Sequence, residues 1–274
     1  MDARIYHFGE GSPNTFSYDP INDGWFDGLA VRPHVGDHHT CEVIGDKIYV
    51  IGGFNGGSEG KVQIYDTVND SWSLGASMPW AGGSCNSAVI DGLIYVCGGI
   101  VGSSTVNNLS VYDPVADAWD SGGASLTPMP TGVNHAASVS DGEKLWVFGG
   151  RGGGNWPQPG FDTVQCYDPV TNTWDSSDQA QSQLEPMPGG RGGTGKAVWF
   201  QDELWIFGGE DQNQVFDNVF AYDPSSNTWR EDEPMPTARH GFYPIEFKGR
   251  IHLAGGGVVQ GFSQSDIVEV FQKN

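Results

Sequence analysis

The chain has 274 residues, with 34 Asp and Glu against 13 Lys and Arg, for a net charge of −21. That excess opposes nucleic acid and anionic membrane surfaces through long-range repulsion, and no apolar run approaches the ~18 residues of a membrane helix. Glycine is abundant at 41, yet Phe 14, Tyr 9 and Trp 10 exclude a disordered chain and point to a turn-rich β protein with a packed core.

The N-terminal MDARIYHFGE lacks the apolar segment of a secretion signal. Its RIYHFGE is a degenerate first copy of a string that returns as KIYVIGG ending at Gly53, LIYVCGG at Gly99, KLWVFGG at Gly150, ELWIFGG at Gly209 and RIHLAGG at Gly256. The mean spacing is about 49 residues, the length of a structural repeat. A second pattern keeps step, with Tyr seven residues before Trp: Tyr18/Trp25, Tyr65/Trp72, Tyr112/Trp119, Tyr167/Trp174 and Tyr222/Trp229. IVEVF, ending at Phe271, opens a sixth copy.

Each period reads as four strands, A to D from the centre outward. NSAVIDG followed by LIYVCGG is an A–B hairpin around an Asp-Gly turn. LSVYD is strand C, Asp-Pro starts the next turn, and Trp opens strand D. The apolar runs are continuous rather than alternating, so both sheet faces are buried. Four-stranded sheets packed around an axis satisfy that demand, and the expected fold is an all-β, six-bladed β-propeller with a central channel.

The period, the Gly-Gly after strand B and the Tyr-to-Trp spacing resemble the Kelch family along essentially the whole chain. WD40 propellers lack support, because Gly-His and Trp-Asp pairs do not occur at their spacing. The resemblance implies a single domain over 1–274, with blades at about 3–29, 38–78, 85–126, 134–184, 193–234 and 241–274. Blade 1 lacks strand A and blade 6 lacks strand D, giving 22 strands, an incomplete ring and a chain that reads as part of a longer protein.

Topology places the candidate site. A–B and C–D turns are short and share one face; B–C and D–A connections are long and share the other, where binding is expected. Four of the seven arginines, Arg32, Arg151, Arg191 and Arg239, map to the long-loop face. Guanidinium groups suit carboxylate, phosphate or sulfate. Trp80, Trp156, Phe54 and Phe262 lie in the same loops and are candidates to stack on a sugar or peptide. The competing reading makes each arginine a strut between blades.

Catalytic and metal patterns are poor. His34, His38 and His39 cluster with Asp37 but lack zinc-type spacing to a further ligand. Glu42 and Asp46 begin the iron motif of plant specifier proteins, but Val50 stands where it needs histidine. Cys97 should pair with Asn86 across the hairpin, which sets Cys85 on the opposite sheet face and argues against a disulfide. No cofactor is indicated.

The expected function is therefore a non-catalytic recognition module, monomeric, that binds a protein or glycan through an anionic group on the long-loop face. The Kelch resemblance implies an alternative, a sugar-modifying enzyme similar to sialic-acid epimerases or mutarotases, with Glu210, His38 and His240 as the acid–base candidates. Both a cytoplasmic and an extracellular location stay open.

Overall fold

The computed structural model describes residues 4–9, 11–120, 126–154 and 158–273. Strands β1 (Ile5–Phe8), β2 (Thr15–Asp19) and β3 (Gly24–Phe26) form blade 1. Blade 2 is β4 (Thr40–Ile44), β5 (Lys47–Ile51), β6 (Val62–Asp66) and β7 (Ser71–Gly75). Blade 3 is β8 (Asn86–Ile90), β9 (Leu93–Cys97), β12 (Leu109–Asp113) and β13 (Ala118–Asp120). Its B–C loop carries a small ribbon, β10 (Ile100–Val101) with β11 (Ser104–Thr105), that the sequence pattern did not announce.

Blade 4 comprises β14 (Ala137–Ser140), β15 (Leu145–Phe148), β16 (Val164–Asp168) and β17 (Thr173–Ser176). Blade 5 comprises β18 (Val198–Phe200), β19 (Glu203–Phe207), β20 (Val219–Asp223) and β21 (Thr228–Asp232). Blade 6 has β22 (Pro244–Phe247), β23 (Arg250–Ala254) and β24 (Val268–Phe271). All pairings are antiparallel, between consecutive strands except where β9 pairs with β12 past the β10–β11 ribbon, and no helix occurs among the described residues.

The core lies between blades rather than within one sheet. Separate apolar clusters join blades 2 and 3 (Tyr49, Ile51, Ile94, Tyr112), 3 and 4 (Tyr95, Val111, Leu145, Tyr167), 4 and 5 (Phe148, Val164, Leu204, Tyr222), and 5 and 6 (Phe207, Val219, Ile251, Leu253). This is why strand B is apolar at nearly every position: one side chain set packs forward and the next backward.

Polar contacts fix the same seams. Each repeat tyrosine donates to an Asp or Asn five residues on, as in Tyr65–Asp70 at 2.7 Å and Tyr222–Asn227 at 2.7 Å. In blades 2 to 5 that acceptor also takes a backbone N–H from the preceding blade, as from Ala30 to Asp70 at 2.8 Å and Glu185 to Asn227 at 2.9 Å. The repeat tryptophan then donates to the carbonyl of the same residue, Trp72 to Ala30 at 2.9 Å and Trp229 to Glu185 at 3.0 Å. Tyr-to-Trp spacing is thus a clamp on the strand leaving the neighbouring blade. The Gly-Gly doublet works at the inner side: Gly99 donates to Val133 O at 2.9 Å and Gly209 to Arg239 O at 2.9 Å. A Cβ on Gly98, at φ +63°, would meet Val133 O at 2.4 Å.

On the short-turn face the repeat aspartates are structural. Asp19, Asp66, Asp113, Asp168 and Asp223 each accept two backbone N–H groups of their own turn. Hydrogen bonds from Ser225 and Ser226 pull the Asp223 carboxyl down to about 2. The β8–β9 register pairs Asn86 with Cys97, and all four cysteines are free thiols. Burial pushes Cys41, Cys85 and Cys166 up to about 12, so none is a poised nucleophile.

Polar side chains reach across the central channel. Lys196 of blade 5 reaches Glu42 of blade 2 and the Ser87 carbonyl of blade 3, crossing the axis. Thr40, Ser87 and Ser138 extend this polar network between the inner strands. Tyr243 of blade 6 donates to the His39 carbonyl of blade 2 at 3.1 Å, on the inner side of blade 1.

Candidate functional site

The inner rim of the long-loop face is a backbone collar. The residues leading into the innermost strands, His38, Ser84, His135, Gly193 and Gly241, all have left-handed φ between +53° and +68°. Each of the last four passes a hydrogen bond to its equivalent in the blade before: Ser84 N to His38 O at 2.7 Å, His135 N to Ser84 O at 3.2 Å, Gly193 N to His135 O at 2.8 Å and Gly241 N to Gly193 O at 2.5 Å. Glycine takes this conformation freely, whereas His38, Ser84 and His135 are held in it by the bonds. The residues just ahead bridge to the start of the B–C loops, as Asp37↔Phe54, Asn134↔Arg151 and Gly192↔Glu210. Loops from successive blades are thereby mounted on one rigid ring.

Side chains on the collar fall into two groups. His38 and His135 meet edge to face at 5.0 Å. The Nδ1 of His38 lies 2.6 Å from the Asp37 carboxylate, and His135 bonds Asn134 at 2.5 Å and Ser84 at 3.1 Å. Burial, aided by the Arg151 charge, holds His135 well below the ordinary histidine value. The second group is Arg151, Glu210 and His240. Arg151 donates to Glu210 at 3.0 Å, and Gly261 N–H donates to the other carboxylate oxygen at 2.7 Å. His240 donates to Val259 O at 2.9 Å and stands 3.6 Å from Glu210. Of the three acid–base candidates, Glu210 and His240 are brought together, but Glu210 is only 2% exposed and both its oxygens are engaged.

The four arginines are struts, a correction to the expected cationic site. Arg239 is fully buried and bonds Gly255 O at 2.7 Å and Glu269 at 2.7 Å. Arg191 donates to Gly208 O at 3.1 Å with its guanidinium against Phe216 and Phe220; burial lowers it to about 10, so it stays charged. Arg32 binds the carbonyls of Ser12 and Gly36 at 3.2 and 3.1 Å and His39 at 3.2 Å. Arg151 is spent on Glu210. Arg32, Arg191 and Arg239 share a physical reason: glycine-rich lead-in segments leave carbonyls pointing inward, and a long side chain of high hydrogen-bonding capacity satisfies several at once.

The aromatic candidates divide as well. Trp80 packs on the core between blades 2 and 3, and Phe54 lies on His38, fitted to Gly83, where a Cβ would come within 2.7 Å of its ring. Phe262 is 80% exposed. Trp156 lies outside the described residues. An open cleft of about 630 Å³, absent from the sequence-based site, is lined by Asp217, Asn218, Glu231, Asp232, Glu233 and Pro234. Its signal was the acidic run 231–233, which lies in a long-loop segment of the expected face but was not singled out there. Among the described residues, no group of three or more His, Cys, Asp or Glu is arranged to hold a metal.

Comparison with known proteins agrees with this architecture. Four segments, 37–79, 81–123, 133–176 and 197–236, match the Kelch motif family and together span more than half of the chain. Similar proteins include Kelch-like protein terF of Aspergillus terreus, 31% identical over 54% of this chain and 31% of that protein. Kelch-like protein 35 of Mus musculus is 29% identical over 53% and 22%, and Beta-scruin of Limulus polyphemus is 32% identical over 47% and 14%. The chain thus spans about a third or less of these relatives. The solved structure of YjhT superposes with a TM-score of 0.80 at 18% identity, covering 99% of this chain and 92% of that one, a likeness of fold.

Proposed function

Since the chain belongs to the Kelch-repeat family, we propose that it is a non-catalytic protein-recognition module that uses its long-loop face. The observation that carries the reading is the contrast on that face. Glu210 is buried with both carboxylate oxygens bonded and His240 is buried beside it, whereas an apolar loop tip, Phe262, stands in water on a fixed collar. A buried carboxylate with both oxygens bonded has no reach to a substrate proton, while large apolar side chains held exposed are the raw material of protein interfaces. The arginines lend no support to an anionic ligand, because their charge is spent inside the blades.

A photo-crosslinking residue placed at Phe262 and, separately, at Val170 on the opposite face tests the reading. Covalent protein adducts from the native extract are expected from the first position and not the second. Adducts from Val170 alone, or from both equally, would sink it.

A further inference from the structure

We propose that the blade 5–blade 6 sector of this face docks a cationic segment of a partner protein, in which Lys or Arg flanks an apolar side chain that packs on Phe262 and Val259. The inference rests on the protein-recognition reading above and adds where the partner sits and what chemistry it carries.

The first support is a fixed apolar projection. Val258, Val259 and Phe262 are 40%, 61% and 80% exposed at the tip of the β23–β24 loop. That tip is stapled to its surroundings at several points. Gly261 N–H donates to Glu210 at 2.7 Å, Gln260 Nε2 to Asp211 O at 3.0 Å, and His240 Nε2 to Val259 O at 2.9 Å. Ser263 Oγ accepts from Val258 and Val259 N–H at 3.1 and 3.2 Å. A loose apolar tip would fold down onto the surface or pay ordering entropy when bound; this one is preorganised in the exposed position. The Arg151–Glu210 pair beneath the loop therefore has a use beyond stability, because Glu210 holds the loop tip.

The second support is charge. The staple at Asp211 begins a loop whose other end, Asp217, lines the open cleft with Glu231, Asp232 and Glu233. Neither 210–218 nor 231–234 contains a Lys or Arg, and the nearby Arg191 and Arg239 are buried. Arg230, next to the cleft, is already bound to Glu203 and Asp232. An acidic rim beside an apolar projection, on a chain of net charge −21, selects a ligand that is both apolar and cationic. Nucleic acid and anionic lipid are repelled by the same field.

Panning the full chain against phage-displayed random 15-residue peptides tests this directly. Selected peptides should be enriched in Lys and Arg around an aromatic or aliphatic residue. Phe262→Ser should weaken their binding by at least about tenfold, the effect of losing an interface anchor. Glu231→Gln with Glu233→Gln should weaken it and flatten its salt dependence, and Val170→Ser on the opposite face should change nothing. Enrichment of acidic peptides, no enrichment, or binding indifferent to Phe262→Ser would overturn the proposal. Crosslinking at Phe262 that succeeds while the panning fails would refute this inference and leave the recognition reading standing.

Discussion

Lys196 of blade 5 is ion-paired with Glu42 of blade 2, the opposite side of the six-bladed ring. The two side chains are 10% and 13% exposed, and Ser87 links them by donating to Glu42 at 2.5 Å and accepting from Lys196 at 3.0 Å. A propeller whose blades touch only their neighbours gains here a direct tie across its axis.

Removing one partner strands a buried charge, which costs about 3–5 kcal/mol, whereas replacing both by apolar groups is often close to neutral. Lys196→Met should therefore lower the urea midpoint strongly, and adding Glu42→Leu should restore most of it. A double variant no better than the single would show that the loss has another source.

The arginines yield a second stability test. Arg239→Ala leaves Glu269 and three inward carbonyls without their donor, and should cost about 3 kcal/mol or more. Calorimetry should show a melting temperature clearly below that of Arg250→Ala, where the side chain is exposed. Equal melting temperatures would contradict the strut assignment.

The repeat made the propeller legible, because Tyr, Trp and Gly-Gly each serve one seam and recur with it. The three-stranded first and last blades and the Asn86–Cys97 register followed from the same pattern, whereas the β10–β11 ribbon did not. Side-chain direction did not. Arg191 and Arg239 lie in loops of the right face, yet their guanidinium groups turn inward to carbonyls that only the folded ring brings into reach. Lys196 and Glu42 are separated by 154 residues and belong to no local motif. The acidic cleft needs β20 beside β21 to set Asp217 near Glu231. Phe262 was correctly placed in a long loop, but its staples come from Glu210 and His240, distant in sequence.

The glycine seam separates two kinds of strain. Gly92, at φ +77°, has open space where a Cβ would go, while Gly98 has Val133 O at 2.4 Å. Gly92→Ala should cost only the left-handed penalty of about 1–2 kcal/mol. Gly98→Ala adds a collision with a backbone carbonyl of the next blade and should be markedly worse in denaturant titration. Similar losses at both positions would mean that the blades are not packed as described.

Stability should fall as the medium is acidified from pH 7.5 toward 5, before most carboxylates titrate. Burial, with the Arg32 charge second, lowers His39 to about 3, and burial likewise lowers His7 and His135. In the unfolded chain each titrates near 6.5. Between those values the unfolded state binds protons that the folded state refuses, so the contribution is complete above about 6.5 and declines as pH falls toward 3. Each fully excluded proton gives a slope of up to about 1.4 kcal/mol per pH unit. The depressed carboxylates Asp19, Asp66 and Asp223 act with the same sign, but only below about 4. Relief of acidic self-repulsion works the other way and also belongs to that lower range. Urea unfolding at several pH values should show the wild-type slope, and His39→Gln should reduce it by about one proton between pH 6 and 5. Comparing slopes rather than absolute stabilities removes the cost of the lost Arg32 contact. A wild-type stability that is flat or rising on acidification through this window would show that these histidines are not held neutral.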